Sequence, residues 1–201
     1  MSNARKQLSY CELFGMPNAG KSELGRWLDE KVINAQSLRY FGIRRSDSLE
    51  NTLDRTAFFH KSLEMMRKSI LMAQGPESIL LVDRGFHDKL LLFNLLVKWK
   101  TVKESLVIRC AEIMKELSWH EVPRILIVVP IEVLIKREQG VATDPYKRWR
   151  PLLGDYVEER LKLLYSAYAA IEADEMTCIL DGTSNRENIR KQAINFLEHL
   201  L

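Results

Sequence analysis

The sequence predicts an α/β fold built around a parallel sheet. Two observations carry that expectation. Short apolar runs alternate with longer stretches of helical periodicity. The two strongest runs, residues 78–83 (Ser-Ile-Leu-Leu-Val-Asp) and 124–129 (Arg-Ile-Leu-Ile-Val-Val), are continuous rather than alternating, as strands covered on both faces are. A third observation bounds the class: 46% apolar and 28% charged residues, with 9 Gly and 6 Pro in 201 residues, is the balance of a globular chain and excludes a disordered or collagen-like one. A chain of this size buries about 70% of its unfolded surface and needs no staples.

Each element has its own signal. Residues 8–14 read as a first strand, and 21–31 as the helix after it. A weaker second strand is expected within 32–43. Residues 49–73 carry Leu49, Leu53, Ala57, His60, Leu63 and Ile70 at helical spacings, and Gly75-Pro76 then stops the helix. The third strand, 78–83, precedes a helical pair at 87–98 and 102–117. The fourth, 124–129, precedes a helix at 131–138. Residues 139–150 fit neither period and predict an exposed loop of basic and turn residues. A long helix over 151–173 presents Tyr156, Leu163, Leu164, Tyr168 and Ile171. A fifth strand follows at 177–181. The last helix opens on a capping box, Ser184-Asn185-Arg186-Glu187, and presents Ile189, Ala193, Phe196, Leu197 and Leu200. With no repeat and no linker, residues 1–201 read as a single domain.

Charge and cysteine usage exclude several classes. A net charge of +3 is too weak to make nucleic acid or an anionic membrane the obligate partner. Cys11, Cys110 and Cys178 are odd in number, far apart and set in apolar stretches, which predicts free thiols in a reducing cytoplasm. No run approaches the roughly 18 apolar residues of a membrane span, and the first residues lack the apolar core of a signal peptide. His60, His87, His120 and His199 have no zinc-ligand spacing, and no G-x-S-x-G elbow marks a serine hydrolase.

The strongest motif is Gly15-Met16-Pro17-Asn18-Ala19-Gly20-Lys21-Ser22, which meets G-x-x-x-x-G-K-[ST] at every fixed position and sits between an expected strand and an expected helix. The spacing suits the chemistry. Backbone N–H groups of such a loop point inward at a polyphosphate, and the helix N-terminus adds its positive end. Lys21 would reach the β- and γ-phosphates of ATP, and Ser22 would ligate Mg²⁺; Glu23 follows on the first helical turn.

Acidic and basic partners complete the picture. Asp83 ends the third strand, where ligands gather in open α/β sheets, and would hold Mg²⁺ or orient the nucleophile. Arg84 follows it and would contact a phosphate bidentately. Asp88 has the simpler reading of a helix-dipole partner. Lys136-Arg137 and Lys147-Arg148-Trp149-Arg150 supply the cations that phosphoryl transfer needs, on a segment able to close as a lid. Phe58, Phe59 and His60, and Arg39, Arg44 and Arg45, are acceptor-side candidates against a plain core or surface reading.

The order of these pieces resembles the P-loop nucleoside and nucleotide kinases, the group of thymidylate and deoxynucleoside kinases. The resemblance rests on the phosphate loop, on Asp83-Arg84 and on Pro130 to Arg137. It implies that Arg148 and Arg150 are lid arginines and that Asp181-Gly182-Thr183 packs near adenine, with Gly182 and Thr183 on the nucleotide. It also implies a three-layer αβα P-loop NTPase with five parallel strands in the order 2-3-1-4-5, and a helix-paired homodimer. Two departures stand out: no Glu-Pro follows the second strand, and Glu23 stands where Thr is usual. The ATP side is thus supported and the acceptor left open. The expectation is an ATP- and Mg²⁺-dependent kinase with a small-molecule phosphate acceptor, a nucleoside or nucleotide. The alternative is a P-loop ATPase or switch acting on a protein partner; a polynucleotide end kinase is a third, weaker reading. Asn-Lys-x-Asp and Ser-Gly-Gly are absent, and Asp-Arg replaces Asp-Glu, which sets GTPases, ABC ATPases and ring ATPases aside.

Overall fold

Four of the apolar runs become the strands of one parallel sheet. The computed structural model describes residues 9–31, 54–73, 79–139, 144, 146 and 149–199. The strands are β1 (Ser9–Phe14), β2 (Ile79–Asp83), β3 (Arg124–Val128) and β4 (Thr177–Asp181), in the order β2-β1-β3-β4. Ser9 pairs with Ile79, Glu12 with Arg124, and Arg124 with Thr177, all in parallel register. All five residues of β2 are buried, which is why its sequence reads as a continuous apolar run.

Helices cover the sheet: α1 (Lys21–Lys31), α2 (Arg55–Met72), α3 (Phe86–Lys98), α4 (Ser105–Glu116), α5 (Ile131–Gln139), α6 (Arg150–Leu153), α7 (Val157–Ala169) and α8 (Arg186–Glu198). Leu13, Leu28, Leu63, Leu81, Phe93, Leu106, Ile125 and Leu180 are buried to the last few per cent and join sheet to helices in one core. Trp119, on a single tight turn before β3, is also fully buried. Cys11 and Cys110 are buried and Cys178 half-buried, all as free thiols. No helix among the described residues is long and apolar enough to cross a membrane.

Several expectations change. The described sheet has four strands, not five; the expected strand within 32–43 lies outside the described residues, as do Arg39, Arg44, Arg45 and Gly75-Pro76. The order of the four matches the expected order once that strand is set aside. The helix expected over 151–173 breaks at Gly154, whose φ of +69° leaves the helical region. The Arg160 guanidinium donates to the Leu153 carbonyl freed at that break, at 2.6 Å. The N-cap of α8 is Asn185, whose side chain accepts from Asn188 N at 2.8 Å, and not Ser184. Ser184 is occupied one residue earlier, donating its N–H to the Asp181 carbonyl. The segment 139–150 is not wholly an exposed loop either, since Gln139 closes α5 and Trp149 is buried.

A parallel sheet collects its carboxyl ends on one edge. The loop after β1, the Asp83-Arg84 pair after β2, the start of α5 after β3 and Asp181–Thr183 after β4 therefore share that edge.

Candidate active site

The loop between β1 and α1 is shaped by positions that a side chain would spoil. Gly15 has φ +124°, and a Cβ there would lie 2.6 Å from the Ile127 carbonyl oxygen. Gly20 has φ +103° with open space where a Cβ would be, and its carbonyl accepts from Glu23 N and Leu24 N to start α1. Asn18 takes φ +60°, a left-handed conformation that Asn tolerates. Met16 and Ala19 are buried beneath the loop and close a turn by Ala19 N to the Met16 carbonyl; Pro17, half-buried, fixes φ between them.

Lys21 lies along this loop. Its Nζ donates to the carbonyls of Gly15 (2.8 Å) and Met16 (2.7 Å). Burial, and then the Arg84 guanidinium, push its pKa down to about 7, against the pull of Asp88 and Asp83. Ser22 Oγ donates to Asp83 Oδ2 at 3.2 Å, so the end of the motif and the end of β2 meet. A hydroxyl and a carboxylate side by side fit Mg²⁺, a hard cation that takes one or two protein oxygens and fills its remaining positions with water and phosphate. Among the described residues no cluster of three or more His, Cys, Asp or Glu offers a different kind of metal site.

Arg84 continues the β1–β2 ladder, its N–H donating to the Leu13 carbonyl at 2.8 Å, but with φ +57°. A non-glycine residue held there stores strain of about 1 kcal/mol or more, a cost typical of functional sites.

Beneath the loop lies a polar layer that sequence reasoning missed. Glu12, mid-strand in β1, is fully buried, and its carboxylate accepts four N–H groups. Oε1 takes Asp88 N at 2.8 Å; Oε2 takes His87 N at 3.1 Å, His87 Nδ1 at 2.9 Å and Trp119 Nε1 at 2.8 Å. It caps the N-terminus of α3, which lacks any cap from its own Gly85. Gly85 is needed beside it, since a Cβ there would lie 2.6 Å from Glu12 Cδ. Asp88 is more than a dipole partner. It is buried, and its Oδ1 accepts Gly15 N at 3.3 Å and the Tyr168 hydroxyl at 2.7 Å. Burial, then the Asp88 charge, push Tyr168 well above the ordinary phenol pKa, so it remains a donor. The available signal was a charged residue at an inward position of an apolar run; Tyr168 gave none beyond helical periodicity.

The remaining side of the site is built by α5 and the loop after β4. Arg137 donates to two backbone carbonyls, Asn18 at 2.9 Å and Gly182 at 3.0 Å, and so ties the phosphate loop to that loop. Glu138, buried next to it, accepts from Asn18 Nδ2. Gly182 leaves no room for a side chain, since a Cβ would come within 2.3 Å of Val129 Cγ2. Thr183 caps the turn through N and Oγ1 to Asp181 Oδ1 at 2.8 and 2.6 Å. Glu23 pairs with Arg186 of α8 at 3.1 Å. Between these parts opens a cavity of about 380 Å³ lined by Asn18, Gly20, Glu23, Arg137, Thr183 and Arg190 among others. Of the expected lid arginines, Arg150 is exposed and pairs with Asp144 at 3.0 Å, and Arg148 lies outside the described residues. Phe59 is core, packed on Phe93 at 5.2 Å; Phe58 and His60 are partly exposed beside it.

No protein-family model matches the chain, and no curated protein sequence does. Solved structures do. A deoxyadenosine kinase from M. mycoides with bound dATP superposes with TM-score 0.63 at 16% identity, over 94% of this chain and 98% of that one. A thymidylate kinase from Candida albicans gives 0.61 at 15% identity, over 96% and 92% of the two chains. A sugar kinase from Janibacter sp. gives 0.54 at 15%, over 96% and 95%. At such identities the likeness is one of architecture, and it spans both chains nearly end to end: the protein has the fold of the P-loop nucleotide kinases.

Proposed function

We propose that the protein is an ATP- and Mg²⁺-dependent phosphotransferase that phosphorylates a small molecule of the nucleoside or nucleotide class. The observation that carries this reading is the meeting of Ser22 with Asp83 at the end of a phosphate loop whose Lys21 is buried against the loop's own carbonyls. Phosphoryl transfer asks a protein for positioning and charge stabilisation rather than covalent chemistry. The loop amides and Lys21 hold the polyphosphate. Ser22 and Asp83 would hold Mg²⁺, which would supply positive charge to offset that of the phosphates. Asp83 aligns the acceptor hydroxyl. Arg84 and Arg137 neutralise the migrating group, joined by Arg148 and Arg150 when 139–150 closes as a lid. The cavity between the phosphate loop, Thr183 and Arg190 takes the adenine end.

The fold is consistent with this reading: the similar structures are described as nucleoside, nucleotide and sugar kinases. Three free thiols suit the cytoplasm. A homodimer paired through helices would cover the exposed Met65, Leu71 and Met72 of α2, and light scattering would then read twice the 23.4 kDa chain mass.

The test is ADP formation from Mg-ATP, alone and with nucleosides, nucleoside monophosphates, sugars and short oligonucleotides, with Lys21→Ala as the blank. One acceptor class should raise turnover at least tenfold, and Lys21→Ala and Asp83→Asn should abolish the rise while keeping the far-UV spectrum. Tight ATP binding that no acceptor accelerates would overturn the kinase reading in favour of a switch acting on a protein.

A further inference from the structure

Asp88 does not do what its place in the helix suggests. It stands in the first turn of α3, where a carboxylate ordinarily serves its own helix. Its side chain instead reaches the loop after β1, where Oδ1 accepts Gly15 N–H at 3.3 Å. The pairing of β1 stops at Leu13 toward β2 and at Phe14 toward β3, so Gly15 lies beyond both ladders. Asp88 supplies the acceptor that the sheet does not. The same Oδ1 accepts the Tyr168 hydroxyl at 2.7 Å, from the end of α7. The Asp88 backbone is fixed as well, its N–H donating to Glu12 Oε1 at 2.8 Å. One carboxylate thus joins α7, α3 and the opening of the phosphate loop.

This arrangement costs the core. Asp88 is 1% exposed, and its Oδ2 is buried with no hydrogen bond from the described residues. A carboxylate so placed loses hydration on both oxygens and regains bonds on one. Leucine at 88 and phenylalanine at 168 would serve packing alone; the Tyr168 ring already lies 6.3 Å from that of Phe14. Polar groups kept at a loss in a buried place point to function. The place is Gly15, whose φ of +124° turns the chain out of β1 and whose carbonyl accepts Lys21 Nζ at 2.8 Å. A loop that binds phosphate through its amides works by holding them in place before the ligand arrives.

We propose that Asp88 and Tyr168 are positioning residues for nucleotide binding: Tyr168 fixes the Asp88 carboxylate, and Asp88, through Gly15 N–H, fixes the loop that takes the polyphosphate. Neither residue touches the nucleotide, and both lie outside the loop's own motif. This rests on the phosphate-binding part of the reading above and adds to it a support that crosses three elements.

The test reads the loop first without ligand, as deuterium exchange of Gly15 N–H followed by NMR in the intact protein. Asp88→Ala and Tyr168→Phe should each speed that exchange at least tenfold. Asp88→Asn, which keeps an acceptor oxygen for both donors, should stay within threefold of the parent. Calorimetry then gives Kd for ATP and for inorganic tripolyphosphate. The two constants should rise together, at least tenfold in Asp88→Ala and three- to tenfold in Tyr168→Phe, with Asp88→Asn again within threefold. Variants that lose Tm but keep the parent's exchange rate and Kd would overturn the inference, since the pair would then serve the core alone. So would faster exchange with unchanged Kd, or a rise in Kd that Asp88→Asn shares in full. If Asp88→Ala does not fold, Tyr168→Phe, which deletes a single oxygen, decides by the same two readings. Failure of the phosphotransferase reading looks different: ATP and tripolyphosphate would bind with indifference to Lys21→Ala. Failure of this inference is binding that needs Lys21 and is indifferent to Asp88 and Tyr168.

Discussion

Glu12 concentrates the residue-scale physics of the site. Four N–H donors converge on a carboxylate with no exposure, so Glu12→Leu strands all four in the core. Charge-assisted bonds are each worth about 1.5–3 kcal/mol; the variant should lose at least 3 kcal/mol in urea unfolding, and Glu12→Gln, which turns an amide NH₂ toward donors, about half of that. Lys21 gives a pH prediction. Its folded pKa near 7 lies below that of an unfolded lysine, so between the two the unfolded chain binds more protons, and Lys21's share of stability rises with pH across that window. A bound polyphosphate restores the charge. ATP binding at pH 8 should therefore take up close to one proton, seen as a buffer-dependent calorimetric enthalpy, and the uptake should vanish at pH 6 and in Lys21→Met. Lys21, Ser22 and Asp83 were legible in the sequence because a phosphate loop tolerates few spacings and an acid closing an apolar run is conspicuous. Glu12, Asp88 and Tyr168 were not, because each is one polar residue inside an ordinary period, and only tertiary packing decides that it faces inward onto the others.

At the scale of elements, the sequence located the helices and misjudged their ends. Ser184 and Asn185 both suit an N-cap; Asp181 decides between them by engaging Ser184, which leaves Asn185 to cap α8. Asn185→Ala should lower stability by about 1 kcal/mol and Ser184→Ala by no more than about half that, read as shifts in Tm. The break at Gly154 was hidden because the apolar period runs on through it; the left-handed turn sets the direction in which α7 returns to place Tyr168 under the phosphate loop. α5 works as a strut, with Arg137 on two carbonyls and Glu138 on Asn18. Glu138→Gln should therefore loosen the loop without removing a phosphate ligand, and raise KM for ATP about three- to tenfold at nearly unchanged kcat.

For the whole molecule, continuous apolar runs were enough to foresee a parallel sheet, and the ladder supplies the convergence of four strand ends that no local pattern contains. A ligand seated across those ends touches segments from β1, β2, α5 and the loop after β4, so binding should stabilise the fold as a unit. At 100 times Kd, ATP should add about 2.7 kcal/mol, a rise in Tm of roughly 5–10 °C for a domain of this size. Lys21→Ala should erase the rise in a thermal melt.

The central place of β1 has a consequence during synthesis. Among the described strands it comes first in the chain, yet both of its neighbours, β2 and β3, are made much later, with α1 and α2 between β1 and β2. At about 5–20 residues per second, β1 waits several seconds with two unpaired edges. Until Ile79–Asp83 emerges, Tyr10 to Phe14 cannot make their native pairings, so the nascent chain carries an open strand able to pair with other chains.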